Sequence, residues 1–550
     1  MVDREDAMRR LPPALTALAS RTGLRRVLLA YGLYNLVEIA SWIAIVMWAY
    51  SRGGAPLAGA SAVIQLLPSA VLAPMLAGIG DRMSRGTALA VAHGAVAVAT
   101  ALTLLALAAD APTWLVIAAS TTVTTTVAVV RPIHYATLPQ LANSADELVS
   151  GNALSAAGEQ FAFFAGPLIA GVGVQRSGPA LVMALAVAAS LVGTLLCLRL
   201  RLVSPDASSV DGEGGLGAAL DGLRALRSDW GSLALLLLMT TTFVVGGALD
   251  VLGVAYSESV LGEGETGAGL IIGAIGIGGL LGAGIASGVA GRRYLTPPVV
   301  VAGLATGGLL ATVSGARDLL PVVGLIALTG VAAAVLMVCS RTLLQRATDD
   351  HVLTRVFAVQ ESASLLGIAV GAAMAPLLIA WFSPAAAFLP LGLLVVVAVI
   401  VGATLIPRLD ARAVFRPREM QLLRHVAFFD LLPAYELERL AQRARWLEVR
   451  AGDVVIAQGD DGHDFYVVEE GEFSVTVDGE LKPHRIGAQG SFGEIALLQD
   501  VARTATITAL TAGRLVSVSR PDFLAAVTGS SDGVAMAREV ASAHMKRDGR

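Results

Sequence analysis

Apolar runs of about 20 residues recur along the first 400 or so residues and constrain the fold of this 550-residue chain more than any other feature. A helix that crosses a bilayer needs about 20 mainly apolar residues, because each adds about 1.5 Å across a core about 30 Å thick. Since 55% of the residues are hydrophobic and only 15% are charged, we predict an all-α polytopic membrane bundle. The twelve predicted spans are approximately residues 27–50, 57–79, 87–109, 112–131, 150–174, 179–198, 232–256, 267–290, 297–315, 319–340, 358–382 and 385–406.

The arginines between these spans predict the orientation of the chain. With an even number of spans, the N-terminal segment 1–26 and everything after residue 406 lie on the same side. Only Arg52, Arg176 and Arg317 fall on the opposite side. By the positive-inside rule, we expect a multi-pass protein of the plasma (inner) membrane with both termini in the cytoplasm. The arginines on the N-terminal side are Arg82, Arg85, Arg131, Arg199, Arg201, Arg224, Arg227, Arg292, Arg293, Arg341, Arg346 and Arg355.

A polar central loop at residues 199–231 divides the spans into halves at residues 27–198 and 232–406. Between the second and third spans stands Gly78-Ile-Gly-Asp81-Arg82-Met-Ser-Arg85. It resembles the Gly-x-x-x-Asp-Arg-x-Gly-Arg signature of major facilitator transporters, although its first Gly is displaced by one position and Ser84 replaces a preferred Gly. Two six-helix halves are the architecture of that superfamily. The resemblance implies a cytoplasmic gate formed by Asp81, Arg82 and Arg85.

The fifth span contains Gly166-Pro167-Leu-Ile-Ala-Gly171. This helix-bend motif, Gly166, Pro167 and Gly171, resembles the Gly-Pro element of the proton-antiport exporters in the superfamily. The segments 131–154 and 341–345 also resemble the drug and siderophore exporter branch. These resemblances imply efflux, whereas a simple packing kink would also explain the small residues and the proline.

Four acidic residues lie inside predicted spans: Glu38, Glu159, Asp250 and Glu361. A charge at membrane depth is costly, so such residues usually face a wet cavity and handle ions or substrate. We therefore predict that these four, together with Asn35, line a proton or substrate pathway. Alternatively, Glu38 and Glu159 are carboxyls that hydrogen-bond neighbouring helices, and Asp250 and Glu361 are interfacial charges near the ends of their spans.

After a linker at residues 407–418, the composition becomes that of a soluble domain, which we assign to residues 419–550. Helical segments are followed by short alternating runs such as 473–477 and 514–518, which are separated by glycines. This spacing predicts a small, jelly-roll-like β-barrel with flanking helices.

Within the predicted barrel, the run from Ser491 to Thr506 contains Phe492-Gly-Glu-Ile-Ala-Leu497 and Arg503-Thr-Ala505. It resembles the phosphate-binding cassette of cyclic nucleotide-binding domains. The resemblance implies that Glu494 accepts from the ribose 2′-hydroxyl and that Arg503 pairs with the cyclic phosphate. It further implies that the amides of Ile495 and Ala496 complete the anion site, that Gly493 permits close approach and that Thr504 contacts the ligand. The choice between cAMP and cGMP stays open.

Together these features predict a secondary transporter and not an enzyme. We expect proton-coupled efflux of an amphipathic small molecule, regulated by a cyclic nucleotide, with lipid, nucleotide and substrate as the partners. The chain has no basic block for nucleic acid, and Cys197 and Cys339 lie in apolar runs, so no metal or further cofactor is expected. A non-transporting nucleotide receptor or scaffold and a lipid-moving transporter are the alternatives.

Overall fold

A computed structural model describes residues 22–80, 83–141, 145–198, 200, 229–290, 292–348, 350–412, 416–430, 432, 434–528, 536–537 and 539–544. The chain divides into two compact units. Among the described residues, the first unit, which we call the helical region, contains the long apolar helices up to Arg412 except for residues 145–149. The second unit contains residues 145–149 and the short helices and strands from Arg416 onward. The long helices are α1 (Thr22–Gly80), α2 (Arg85–Ala108), α3 (Thr113–Leu141), α4 (Ala145–Ser177), α5 (Pro179–Leu198), α6 (Trp230–Tyr256), α7 (Gly264–Ala290), α8 (Thr296–Val313), α9 (Leu319–Ala347), α10 (Asp350–Phe382) and α11 (Phe388–Arg412).

Helix α1 contains the first two predicted spans. It has 59 residues, so a straight helix would be about 90 Å long at about 1.5 Å per residue, about three times the thickness of a bilayer core. The backbone leaves the helical conformation at Gly53 and Gly54, and Gly54 has φ +64°. Glycine tolerates this left-handed conformation because it has no Cβ. The break therefore separates α1 into two arms that are each long enough to cross a membrane.

Within the described residues, eleven helices are long and apolar enough to cross a membrane. This confirms a mostly helical polytopic bundle, but the number of crossings expected from the sequence, twelve, stays a prediction because α1 counts as one helix.

Several helices also extend beyond their apolar runs. Helix α3 continues to Leu141, α10 begins at Asp350, and α11 continues to Arg412, into the segment that was expected to be a linker. Hydropathy marks the apolar length of a helix, whereas backbone hydrogen bonding continues past it.

The glycines of α7 allow three helices to pack closely. A Cβ on Gly269 would lie 2.4 Å from the carbonyl oxygen of Pro167 in α4, and one on Gly278 would lie 1.9 Å from that of Ala327 in α9. Real side chains do not approach backbone oxygens this closely, so only glycine fits at these two positions. Small residues at helix contacts are the usual means of close packing in membranes.

The second unit contains two four-stranded antiparallel sheets, with the strand orders β1-β8-β3-β6 and β2-β7-β4-β5. This agrees with the predicted jelly-roll-like barrel, and the runs 473–477 and 514–518 lie in strands β4 and β8. The strands are β1 (Arg445–Val449), β2 (Val454–Ile456), β3 (Asp464–Glu470), β4 (Phe473–Val477), β5 (Glu480–Ile486), β6 (Ser491–Phe492), β7 (Thr506–Ala509) and β8 (Gly513–Ser519). The helices are α12 (Pro417–Arg424), α13 (Ala427–Asp430), α14 (Ala434–Arg443), α15 (Glu494–Gln499) and α16 (Arg520–Thr528).

Aromatic side chains join the helices of this unit to its first sheet. Phe428, Phe429, Phe465 and Phe523 are fully buried, and the rings of Phe428 and Phe429 lie 4.7 Å apart in an edge-to-face arrangement. Beyond α16, residues 536–537 and 539–544 are helical, and we call them the C-terminal helical segment. The buried Ala537 belongs to the same apolar cluster as the four phenylalanines, so this segment is packed on the barrel.

Candidate functional sites

A cavity of about 230 Å³ lies in the second unit, between β5, α15 and the loop that leads into β7. Its lining includes all six residues that the sequence predicts for the nucleotide site. Tertiary structure adds His484 and Arg485 from β5, and His544 from the C-terminal helical segment. The six predicted residues are Gly493, Glu494, Ile495, Ala496, Arg503 and Thr504.

Arg503 is fixed by backbone oxygens and not by a carboxylate. Its Nη1 donates to the carbonyl oxygen of Gly493 at 2.9 Å, and its Nη2 donates to that of Asp464 at 2.6 Å. The guanidinium also lies over the ring of Tyr466, with Cζ 6.0 Å from the ring centroid. Burial lowers the pKa of Arg503, but arginine starts so high that the side chain stays cationic. The result is a preoriented cation beside the cavity whose charge no described carboxylate neutralises through an ion pair.

Glu494 begins helix α15 and has only 1% of its surface exposed. Its Oε1 is 2.7 Å from Nδ1 of His544, whereas its Oε2 is buried without a hydrogen-bond partner among the described residues. A buried carboxylate oxygen without a donor is costly. This oxygen therefore suits a ligand that supplies a hydroxyl or another hydrogen-bond donor.

Gly493 connects these two charged residues. It has φ +97°, and a Cβ at this position would lie 2.8 Å from Nη1 of Arg503. Both the backbone conformation and the space for the guanidinium therefore require glycine. Ile495 and Ala496 are buried in the first turn of α15, and Thr504 is half-buried at the cavity wall.

In the helical region, Arg131 links two of the predicted acidic residues. Its Nη2 lies 3.1 Å from Oε2 of Glu38 in α1, and its Nε lies 4.0 Å from Oε1 of Glu159 in α4. The sequence placed Arg131 on the cytoplasmic side, at the end of the predicted span, whereas α3 continues beyond it to Leu141. Hydropathy ended the predicted span at this arginine, although ion pairing compensates its charge inside the helix.

Tyrosines complete this cluster around Glu159. The hydroxyls of Tyr31 and Tyr135 both donate to Oε1 of Glu159, the latter at 3.0 Å. The ring of Tyr31 stacks on His134 with the centroids 3.6 Å apart. Glu159 therefore accepts two hydroxyl donors and faces one guanidinium, in a cluster that draws on three helices.

The other predicted pathway residues do not join this cluster. Asp250 accepts a hydrogen bond at 2.9 Å from Nε1 of Trp42, which connects α6 to α1. Asn35 is buried and donates to the carbonyl oxygen of Tyr31 in its own helix. Glu361 is exposed in α10 and forms no hydrogen bond or ion pair with a described residue. Of the five predicted pathway residues, only Glu38 and Glu159 therefore lie in the cluster around Arg131.

Of the predicted gate, Asp81 and Arg82 lie outside the described residues. Arg85 is the first residue of α2, and the preceding Ser84 caps that helix by accepting from the amide of Thr87 at 3.3 Å. The gate therefore stays a prediction.

The helix-bend motif lies inside α4, at its closest contacts with other helices. A Cβ on Gly166 would lie 2.7 Å from Cγ2 of Ile39, and one on Gly171 would lie 2.3 Å from the carbonyl oxygen of Glu265. Pro167 lies inside α4, and the helix continues on both sides of it. The motif thus has a packing role between α4, α1 and α7, whatever further role it has in transport.

The profile of the Major Facilitator Superfamily matches residues 27–316 and 238–451, which together are more than half of the chain. The chain belongs to the Major Facilitator Superfamily. In this superfamily member, residues 446–529 match the profile of the cyclic nucleotide-binding domain. The chain therefore combines a multi-pass transporter domain with a C-terminal cyclic nucleotide-binding domain, as the sequence motifs predicted.

Relatives of the C-terminal domain include regulatory subunits of protein kinases. This superfamily member is 33% identical over 123 residues to the cAMP-dependent protein kinase type II regulatory subunit of Drosophila melanogaster, covering 22% of this chain and 32% of the relative. It is 33% identical over 102 residues to the cAMP-dependent protein kinase regulatory subunit of Schizosaccharomyces pombe, covering 18% and 25%. The chain thus spans about a third or less of the length of these two relatives.

Among solved structures, the regulatory domain of Toxoplasma gondii PKA with cAMP is similar, with 30% identity and a TM-score of 0.20. The likeness covers 20% of this chain and 44% of that chain.

Proposed function

We propose that this protein is a secondary active transporter whose activity is regulated by cAMP bound to its C-terminal domain. The observation that carries the regulatory part is the pair of buried groups in one cavity, Arg503 and Oε2 of Glu494. A cyclic nucleotide supplies the anion and the hydroxyl that these two groups lack.

The chemistry of the ligand fits this cavity residue by residue. Arg503 pairs with the cyclic phosphate through guanidinium N–H groups that its hydrogen bonds to the two carbonyl oxygens leave available. Glu494 accepts from the ribose 2′-hydroxyl through Oε2, while Gly493, Ile495 and Ala496 give the phosphate access to backbone amides. Thr504 lies on the same wall and contacts the phosphate or the base. The relatives named above favour cAMP over cGMP.

Calorimetry on the full-length protein in detergent tests this proposal. We expect heat of binding with cAMP, weaker binding with cGMP, and no binding of 5′-AMP. The phosphate of 5′-AMP is not cyclised and therefore carries an additional negative charge. If neither cyclic nucleotide binds to folded protein, the sensor proposal is wrong.

For the transporter domain, we propose proton-coupled efflux of an amphipathic small molecule, with both termini in the cytoplasm. The cluster of Glu38, Arg131 and Glu159 supports proton coupling, because protonation of either carboxylate weakens its pairing with the guanidinium. Such a change in pairing between three helices is a way to alter their packing during a transport cycle. We further propose that Asn35, Asp250 and Glu361 contribute to the same pathway at other points, and that Asp81, Arg82 and Arg85 form its cytoplasmic gate.

Flux into proteoliposomes tests the coupling. We expect that an imposed pH gradient drives transport of a fluorescent amphipathic cation by the native protein, and that Glu38→Gln and Glu159→Gln remove the dependence on the gradient. Addition of cAMP on the side of the C-terminal domain should change the rate. A protein that binds cAMP but moves no member of a broad substrate panel would instead be a membrane-anchored receptor.

A further inference from the structure

Glu494 is held by a residue that the cassette pattern does not include. Nδ1 of His544 lies 2.7 Å from Oε1 of Glu494, although the two residues are 50 positions apart. His544 belongs to the C-terminal helical segment and lines the same cavity as Glu494 and Arg503. About a quarter of its side chain is exposed, at 28%, compared with 1% for that of Glu494.

The two oxygens of Glu494 therefore have different surroundings. Oε1 faces His544, and Oε2 is buried without a partner among the described residues. The terminal torsion of a glutamate side chain is broad, so a carboxylate without a fixed partner samples many orientations. A hydrogen bond to Oε1 restricts that rotation and thereby fixes the direction of Oε2. This distinguishes Glu494 from Arg503, which is oriented by backbone carbonyls of the barrel itself.

We infer that His544 is a positioning residue of the nucleotide site, which holds Glu494 by Oε1 so that Oε2 accepts the ribose 2′-hydroxyl. The inference rests on the proposed nucleotide-binding function and extends it to a residue outside the barrel. Recognition of the ribose then depends on the C-terminal helical segment, while recognition of the phosphate by Arg503 does not. His544 acts on one part of the ligand only.

This division gives a test that separates positioning from a general structural role. The dissociation constants of cAMP and of 2′-deoxy-cAMP are measured on the full-length protein in detergent. In the native protein, cAMP should bind about tenfold more tightly than 2′-deoxy-cAMP, because only cAMP offers the hydroxyl to Oε2. In His544→Leu, we expect this ratio to fall to about one through weaker binding of cAMP, with binding of 2′-deoxy-cAMP changed less than twofold.

Two further variants complete the experiment. The amide nitrogen of His544→Asn takes a position similar to that of Nδ1, so this variant should recover most of the preference for cAMP. Ser542→Ala changes an exposed residue of the same segment and should behave like the native protein. Equal weakening of both ligands in His544→Leu would mean that His544 only docks the segment, and the inference would be wrong.

The remaining outcomes are also distinguishable. If the native protein binds both nucleotides equally, the assignment of Oε2 to the ribose is wrong, although nucleotide binding stands. If the native protein binds neither, the proposed regulatory function itself is contradicted, and this inference is contradicted with it.

Discussion

Arg503 in the nucleotide-binding domain and Arg131 in the transporter domain both lie near glutamates, but their charges are held in opposite ways. Arg131 pairs with Glu38 at 3.1 Å and approaches Glu159 at 4.0 Å. Arg503 forms no ion pair with Glu494, since backbone oxygens hold the guanidinium and His544 contacts the carboxylate. One set of charges is satisfied internally, and the other keeps its binding capacity for a ligand.

The difference distinguishes a preoriented binding site from a group of charges that already neutralise one another. A ligand that enters the barrel cavity adds contacts to Arg503 and Glu494 without first breaking an ion pair, so affinity is high where the groups are preoriented. A proton or substrate that reaches the Arg131 cluster must replace existing pairs, which changes the contacts between α1, α3 and α4. Four predictions test this comparison.

The largest expected effect is the loss of nucleotide binding in Arg503→Gln. Removal of a preoriented guanidinium from the phosphate should weaken cAMP binding by about 100-fold or more. Because Arg503 donates two hydrogen bonds to backbone carbonyls but forms no ion pair with a described carboxylate, its loss should lower the free energy of unfolding by about 1–3 kcal/mol. Calorimetry and thermal unfolding check the two parts, with the exposed Arg450→Gln as a control for charge. Unchanged affinity for cAMP in Arg503→Gln would mean that the guanidinium does not bind the ligand, and the contrast with Arg131 would be wrong.

Gly493→Ala should lower both stability and affinity. The positive φ costs about 1 kcal/mol for alanine, and the new Cβ would lie 2.8 Å from Nη1 of Arg503. Gly479→Ala is the matched control, because Gly479 has φ +82° but no atom of a described residue lies within 4 Å of its Cβ position. Both variants should unfold at lower temperature, but only Gly493→Ala should bind cAMP more weakly, by about tenfold. Unchanged affinity in Gly493→Ala would argue against preorientation of Arg503.

A double-mutant cycle measures the pairing in the helical bundle. Arg131→Gln leaves Glu38 and Glu159 without their cation, so we expect a less stable protein that recovers when Glu38→Gln is added. The side chains of Arg131 and Glu38 are 39% and 27% exposed, so the coupling should be only about 1 kcal/mol. Thermal unfolding of the four proteins in detergent gives this energy. Additive effects would mean that the cluster is not a mutually satisfied set of charges.

The smallest expected effect is that of Trp42→Phe. It removes the donor to Asp250 and should cost about 0.5–1 kcal/mol of stability. Trp114→Phe, at a largely exposed residue of α3, is the control and should cost less. If the two variants unfold alike, the contact between α1 and α6 does not contribute to stability in the way that the Arg131 pairs do.

Much of the nucleotide site followed from the sequence because its residues are local. The residues from Gly493 to Thr504 occupy one short turn, helix and loop, so their order along the chain fixes their chemistry and much of their geometry. His544 had no such signal, since it follows the cassette by some 40 residues. A histidine at that position is recognisable as a site residue only once the helical segment is docked.

The helical membrane class, the superfamily and the nucleotide-binding cassette could all be predicted from the sequence, because hydrophobic length and short motifs are local properties of the chain. Tertiary structure decided which charges meet. It placed Arg131 between Glu38 and Glu159, brought Asp250 within hydrogen-bonding distance of Trp42 and left Oε2 of Glu494 without a partner among the described residues. The physical reason is that the cost of a buried charge depends on its neighbours in space, and those neighbours come from distant parts of the chain.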